Sequence, residues 1–383
     1  MALSRSSYVA EGQEGVYHCF SRCVRRAFLC GFDALTGRDF SHRKAWVVDR
    51  LRFLAAIFAI EVLAYAVMED HDHTIVRTRP DIVASWSDRE VARRWRRLCP
   101  RHRRMRGGTT SAEEEICAVA SNPERIKELR RRLCSLSWFM GQLNEFIARR
   151  ANKEDKVKGR FWEGRFKCQA LLDEAAIAVC MVYVDLNPVR AGRARTPEES
   201  DFTSIQERIR AWQKGTLTTA SGGRMTAGDL QSPTFGKDMG MQQDAAEAAR
   251  LIPEPVSAGS GFFEAAGISG CWVCPIESDS RRRGILGMTT AEYIDLVDRT
   301  GRMTRPDKRG AIDPDLAPIL LRIGANPEAW VDTVSRFGSS FHLAAGLVSN
   351  LRRFADQLGR RWIKGVATAR VAFASSSPTL AAP

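Results

Sequence analysis

EVLAYAVMEDHDHTIVRTR, residues 61–79, holds two apolar runs that meet at Asp70-His71-Asp72-His73. Each run, 62–68 and 74–79, has the length and residue types of a strand. Successive side chains on an extended backbone point to opposite faces, so His71 and His73 share one face and Asp72 takes the other. Two neutral imidazoles at that spacing can hold one divalent cation between them. The chain has only 6 histidines, and no other two lie this close in sequence. The same residues also fit a polar turn between two hydrophobic strands, and the pair alone leaves both readings open.

Working outward, residues 15–24 (GVYHCFSRCV) alternate and read as a first strand. Residues 43–60 place Trp46, Val47, Leu51, Leu54, Ala55, Ile57 and Phe58 at helical spacing. The order is strand, helix, strand, strand. After the second apolar run, Ser87-Asp88 can cap a helix that carries Arg89, Arg93, Arg94, Arg96 and Arg97, and a further arginine cluster follows at 101–106. Like charges at this density repel one another and call for a counter-anion, which points to a phosphate-contacting surface rather than a merely solvated helix face.

Residues 111–118 suggest a short helix and 124–150 one long helix. RFWEGRFK, 160–167, interleaves Arg160, Arg165 and Lys167 with Phe161, Trp162 and Phe166. Cations for a backbone and rings for bases suit single-stranded nucleic acid, although an ordinary edge strand fits the segment as well. The next helix opens at Asp173 and Glu174, where carboxylates complement the positive helix end. It carries Ala175, Ala176, Val179, Cys180 and Tyr183 on one face, and Pro188 stops it with Asn187 in its last turn. Tyr183 and Asn187, four apart, share that face. Taken alone, such a tyrosine reads as a core residue with a satisfied hydroxyl.

The 383 residues carry a formal net charge of +13, with an isoelectric point near 9.6. That surplus favours a polyanionic partner, nucleic acid before an anionic membrane. No apolar run approaches the ~18 residues of a membrane span. The first residues lack the apolar core of a secretory signal, so the expected location is the cytoplasm. In that setting the 10 cysteines read as buried thiols rather than a disulfide framework. Cys271-Trp-Val-Cys274 has the spacing of half a zinc site, with no second close pair after it.

Four separated segments, GVYHCFSRCV, AYAVMEDHDHTIV, RFWEGRFK and VYVDLNPVRAG (182–192), together resemble the REP-associated tyrosine transposases, single-tyrosine members of the HUH endonucleases found in insertion sequences. The resemblance covers 14–195 and implies an α+β fold, a ferredoxin-like antiparallel sheet with helices on one face. It implies His71 and His73 as metal ligands, Asn187 as a further ligand, Tyr183 as the nucleophile and Mg2+ or Mn2+ as the cofactor. It also implies single-stranded, hairpin-associated DNA as the substrate, a 5′-phosphotyrosine intermediate, and either a monomer or a homodimer. Arg93, Arg94, Arg96, Arg97, Arg160, Trp162, Arg165, Lys167 and Arg190 are the expected DNA contacts.

The chain departs from the family at one place. The middle residue of the histidine motif is usually bulky and apolar, whereas here it is Asp72, and Asp70 stands where Asn is common. A carboxylate facing the core is costly unless it is paired. A transposase-derived DNA-binding protein without cleavage activity is therefore the second reading. Beyond 195 the resemblance thins into a linker (196–245), a mainly helical accessory region (246–367) and a flexible tail (368–383). Helices are expected at 205–212, 242–251, 289–298, 316–323, 327–337 and 347–362, and Tyr293 reads as core.

Overall fold

The computed structural model describes residues 7–24, 30–33, 37–100, 111–220, 271–278, 282–303, 320–321 and 323–373. The order expected around the histidine pair holds. β1 (Gly15–Arg22) leads through a small hairpin, β2 (Phe32–Asp33) with β3 (Arg38–Asp39), to α1 (Arg43–Ile57), β4 (Ile60–Val67) and β5 (His71–Thr78). β5 starts at His71, so both histidines lie in regular strand. The tight connection before them is closed by Met68 N–H donating to the His71 carbonyl, 2.9 Å.

Next come α2 (Pro80–Ser85), α3 (Asp88–Leu98), α4 (Ala112–Ala120), α5 (Pro123–Leu133) and α6 (Leu136–Glu154). Ser87 caps α3 as expected, accepting from Glu90 N–H, and Ser111 with Glu114 forms a full capping box on α4. The single helix expected over 124–150 is two. The break falls at Cys134-Ser135, where Ala59 N–H donates to the Leu133 carbonyl, 2.8 Å. The apolar period runs unbroken across that joint, so spacing alone could not reveal it.

β6 (Lys167–Leu171) completes an antiparallel set in the order β4-β5-β1-β6, and β7 (Ala344–Ala345), from the C-terminal region, adds a parallel strand at the β6 edge. The α+β class is as expected, but the sheet is mixed rather than wholly antiparallel, and helices lie on both of its faces rather than on one. One sheet face carries Ser21, which exchanges hydrogen bonds with Asn144 of α6. Across the other face lies α7 (Glu174–Asp185), whose Tyr183 ring stands edge-on to His73 of β5.

The remaining elements are α8 (Asn187–Arg190), α9 (Ser204–Ala220), α10 (Thr290–Met303), α11 (Trp330–Ser340), α12 (Val348–Gln357) and α13 (Val366–Ala372). α8, α10 and α11 pack directly against α7. Asp185 of α7 is fully buried and accepts from Ser204 Oγ, from Ile205 N–H at 3.1 Å and from Tyr293 Oη at 2.6 Å. Tyr293 is thus a core residue, as its position in a helix suggested. At the start of α7, Asp173 Oδ1 caps Ala176 N–H, while Oδ2 accepts from Leu347 N–H at 2.6 Å and from Asn350 Nδ2 at 3.0 Å.

None of the 10 cysteines, all within the described residues, forms a disulfide. Cys274 is buried, and its sulfur accepts from Arg77 Nη2 at 3.2 Å. Among the described residues no helix is long and apolar enough to cross a membrane. The arginine cluster at 101–106, the helix expected at 242–251, residues 221–245 of the linker and most of 316–323 lie outside the described residues.

Candidate functional site

The strand register decides which side chains meet. In β1 and β5, Phe20 lies opposite His73 and Arg22 opposite His71, and in β1 and β6, His18 lies opposite Gln169 and Phe20 opposite Lys167. Cross-strand partners share a face, so His18, Phe20, Arg22, His71, His73, Lys167 and Gln169 all project from one side of the sheet. The His71 and His73 rings are 4.9 Å apart, centre to centre, and nearly perpendicular. The Tyr183 ring stands edge-on to His73 at 5.7 Å and to His18 at 6.2 Å. A single chain thus places the Tyr183 ring beside His73 and His18.

Each histidine of the pair has its Nδ1 occupied. His71 Nδ1 is 2.5 Å from Asp70 Oδ1, and Asp70 is held in turn by Arg22 at 2.6 Å. Burial opposes ionisation of Asp70, but its hydrogen bonds to His71 and Arg22 outweigh that and keep its carboxyl below the usual range. His73 Nδ1 is 2.9 Å from His18 Nε2, and His18 Nδ1 is 3.5 Å from Gln169 Oε1. Burial pushes His18 down to about 4 and His73 well below its ordinary value. Both rings are neutral at neutral pH, the form that can bind a cation.

Around Tyr183 the site is enclosed. The Arg190 guanidinium lies 5.0 Å from the centre of the Tyr183 ring and donates to the Ser335 carbonyl of α11. Phe337 of α11 packs at 5.6 Å, and a β-carbon built on Gly338 would come within 2.9 Å of the Tyr183 hydroxyl. Burial raises the phenol above its usual value, with the Arg190 charge pulling the other way. Asn187 sits in α8, one residue beyond the α7 cap, with Nδ2 donating to the Tyr183 carbonyl at 3.1 Å. That orientation commits Nδ2 to the backbone of α7.

Asp72 points to the opposite face, as period-two alternation requires, and that face is core. The residue is 2% exposed, and Asp72 Oδ2 and Thr74 Oγ1 are buried with no hydrogen-bond partner among the described residues. Burial lifts the Asp72 carboxyl to about 7.

The expected DNA contacts fall into two groups. On α3, Arg93 and Arg94 pair with Glu90, Arg96 pairs with Glu115, and Arg97 lies over the Phe53 ring. Arg94 also donates to the carbonyls of Ala56 and Ile57, which ties it to the end of α1. Arg160, Arg165 and Lys167 are exposed, as Arg93 also is. Their aromatic neighbours are not: Phe161, Trp162 and Phe166 are buried, and Trp162 Nε1 donates to the Asn144 carbonyl at 2.9 Å. The segment offers cations on its surface and keeps those rings for packing.

A cleft of about 450 Å³ adjoins the site. His71, Lys44, Met68, Pro188, Arg193 and Phe202 are among its walls. Among the described residues no group of three or more His, Cys, Asp or Glu converges as a metal site, Cys271 and Cys274 included. Sequence reading did not single out His18, Gln169 or Phe337. The parity of His18 with the strand face was the available signal for the first; the other two depend on long-range packing.

No family model matches the chain, and no curated protein matches it. Among solved structures, that of a REP-associated tyrosine transposase bound to a REP hairpin is similar at 14% identity, over 63% of this chain and 100% of that one, with a TM-score of 0.29. The likeness is distant.

Proposed function

We propose that the chain is a DNA transposase of the single-tyrosine HUH kind, which nicks and rejoins single-stranded, hairpin-associated DNA. The observation that carries this reading is the approach of the Tyr183 ring to within 5.7 Å of His73, across the face that also holds His71. A metal-bound phosphate needs its nucleophile and its ligand pair on the same side of one site.

A divalent cation such as Mg2+ or Mn2+ would be held by His71 Nε2 and His73 Nε2, the nitrogens left over, with Asn187 Oδ1 as a third donor; the amide oxygen is the donor type such ions favour, while imidazoles also take softer ions. When bound, the ion would polarise the phosphate and neutralise charge developing on it. Tyr183 gives up its phenolic proton and its oxygen forms a bond to phosphorus. The bond from phosphorus to the 3′-oxygen breaks, and that oxygen takes a proton to become a 3′-hydroxyl. The 5′ end remains on Tyr183 until a 3′-hydroxyl attacks and reverses the step. Arg190 beside the ring favours the phenolate that burial opposes. Arg160, Arg165 and Lys167 hold the DNA backbone.

A second reading, a DNA-binding protein that no longer cleaves, draws on Phe337, which packs on the phenol ring, and on Asp72 Oδ2, buried with no partner among the described residues. An end-labelled hairpin oligonucleotide with a single-stranded flank, incubated with the full chain and Mn2+ and run on a denaturing gel, separates the two. A covalent adduct that disappears in Tyr183→Phe supports the transposase. Salt-sensitive binding without any adduct in the unaltered chain supports the second reading.

A further inference from the structure

We infer that His18 and Gln169 are positioning residues that fix which nitrogen of His73 carries its proton, and so hold His73 Nε2 open for a metal ion. The inference rests on the metal-site reading above and adds residues to it.

The geometry is a directed chain across three neighbouring strands. Gln169 Oε1 can only accept, so at 3.5 Å from His18 Nδ1 it calls for a proton on that nitrogen. A neutral imidazole has one proton, so His18 Nε2 is then bare and accepts. Its partner, 2.9 Å away, is His73 Nδ1, which must donate. The His73 proton is thereby placed on Nδ1 and its Nε2 lone pair is left for a cation. Register makes the chain possible: His18 lies opposite Gln169 in one strand pair, and Phe20, two residues on, lies opposite His73 in the other. All three side chains are buried, so water does not compete for these bonds.

His71 reaches the same state by a different route. Its Nδ1 is taken by Asp70, leaving Nε2 outward. Two neighbouring imidazoles with the same nitrogen engaged, one by a carboxylate and one by a second histidine, form the outer support that metal-binding histidines need. Loss of such support costs about 10–100-fold in metal affinity.

Gln169→Leu keeps a side chain of similar size but removes the acceptor. His18 then has no reason to hold its proton on Nδ1. With the proton on Nε2 it donates to His73 Nδ1 and drives the His73 proton onto Nε2, where a metal would bind. His18→Phe removes the relay altogether and serves as the second variant. Two readouts apply to the folded full-length proteins. Nitrogen-15 NMR of the metal-free chain reports the tautomer of His73. Calorimetric titration with Mn2+ alone reports affinity.

The expected result is an Nδ1-protonated His73 in the unaltered chain, a shift to Nε2 in Gln169→Leu, and Mn2+ binding at least tenfold weaker in both variants. An unchanged tautomer and unchanged affinity in a folded Gln169→Leu, beside clear binding by the unaltered chain, would overturn the inference and leave the metal site standing. Absence of Mn2+ binding by the unaltered chain would overturn the metal-site reading, and the inference with it.

Discussion

The Tyr183 hydroxyl occupies the space that a side chain at Gly338 would need: a β-carbon there would lie 2.9 Å from it. Gly338 is inside α11, where alanine would ordinarily stabilise a helix by about 1 kcal/mol. The phenol is the end of one side chain and can swing aside, so Gly338→Ala should leave overall stability within about 1 kcal/mol while displacing the tyrosine. The expected result is a near-normal denaturant midpoint with adduct formation slowed at least tenfold, since an ångström of misplacement can cost about a hundredfold in rate.

Asp72 makes stability depend on pH in a definite direction. Burial raises its carboxyl from 3.8 to about 7. Between those values the folded chain holds a proton that the unfolded chain has released. This contribution is therefore fully favourable below about pH 4, declines as pH rises towards 7, and stays lost above it. Asp72→Asn should remove that decline. Urea unfolding at pH 8 is expected to show the variant more stable by a few kcal/mol at most, about 1.4 kcal/mol for each unit of pKa change. At pH 4 the two proteins should differ little. Equal midpoints at pH 8 would mean that the carboxylate has found a partner.

The arginines separate into structural and exposed sets, and the sets should respond differently. Arg94 lies 4.1 Å from the centre of the Trp86 ring and donates to two carbonyls at the end of α1. Arg94→Ala is expected to lower stability by about 2 kcal/mol, because charged hydrogen bonds to buried carbonyls are lost. Arg165 is exposed, and Arg165→Ala should leave the melting temperature unchanged. Its effect belongs in DNA binding: a plot of log affinity against log salt should become shallower by about 0.7, the share of one phosphate on a single strand.

Asp173 serves two masters, the first turn of α7 and the chain around Leu347. Asp173→Ala removes the cap on Ala176 N–H and both bonds to the C-terminal region. Together these should cost about 2–4 kcal/mol. Hydrogen exchange at Leu347 should accelerate more than at residues of β5, which do not depend on that carboxylate.

The parts of the site that local periodicity controls were legible in the sequence. Alternation put His71 and His73 on one face and Asp72 on the other, and the strand register bears that out. Helical spacing set Tyr183 on α7, although α7 stops at Asp185 and Asn187 opens a new turn. β6 escaped because its five residues, KCQAL, carry no alternation of apolar and polar types. Trp162 read as a stacking surface, but neighbours from α6 bury it, and no local pattern reports neighbours. The cover supplied by Phe337 is of the same kind, since it comes from an element more than 150 residues beyond Tyr183.

The pairing of β7 with β6 also bears on when the molecule can finish folding. Leu347 and Asp173 are 174 positions apart, and Ala344 and Ala345 complete the sheet edge opened by Ala170 and Leu171. During synthesis, that edge of β6 must wait until residues 344 and 345 have been made before its partner exists. For that interval it presents unpaired backbone groups, the template on which strands from other chains assemble. Slow translation between 171 and 344 would lengthen the exposure, and a chain released before residue 344 would keep it permanently.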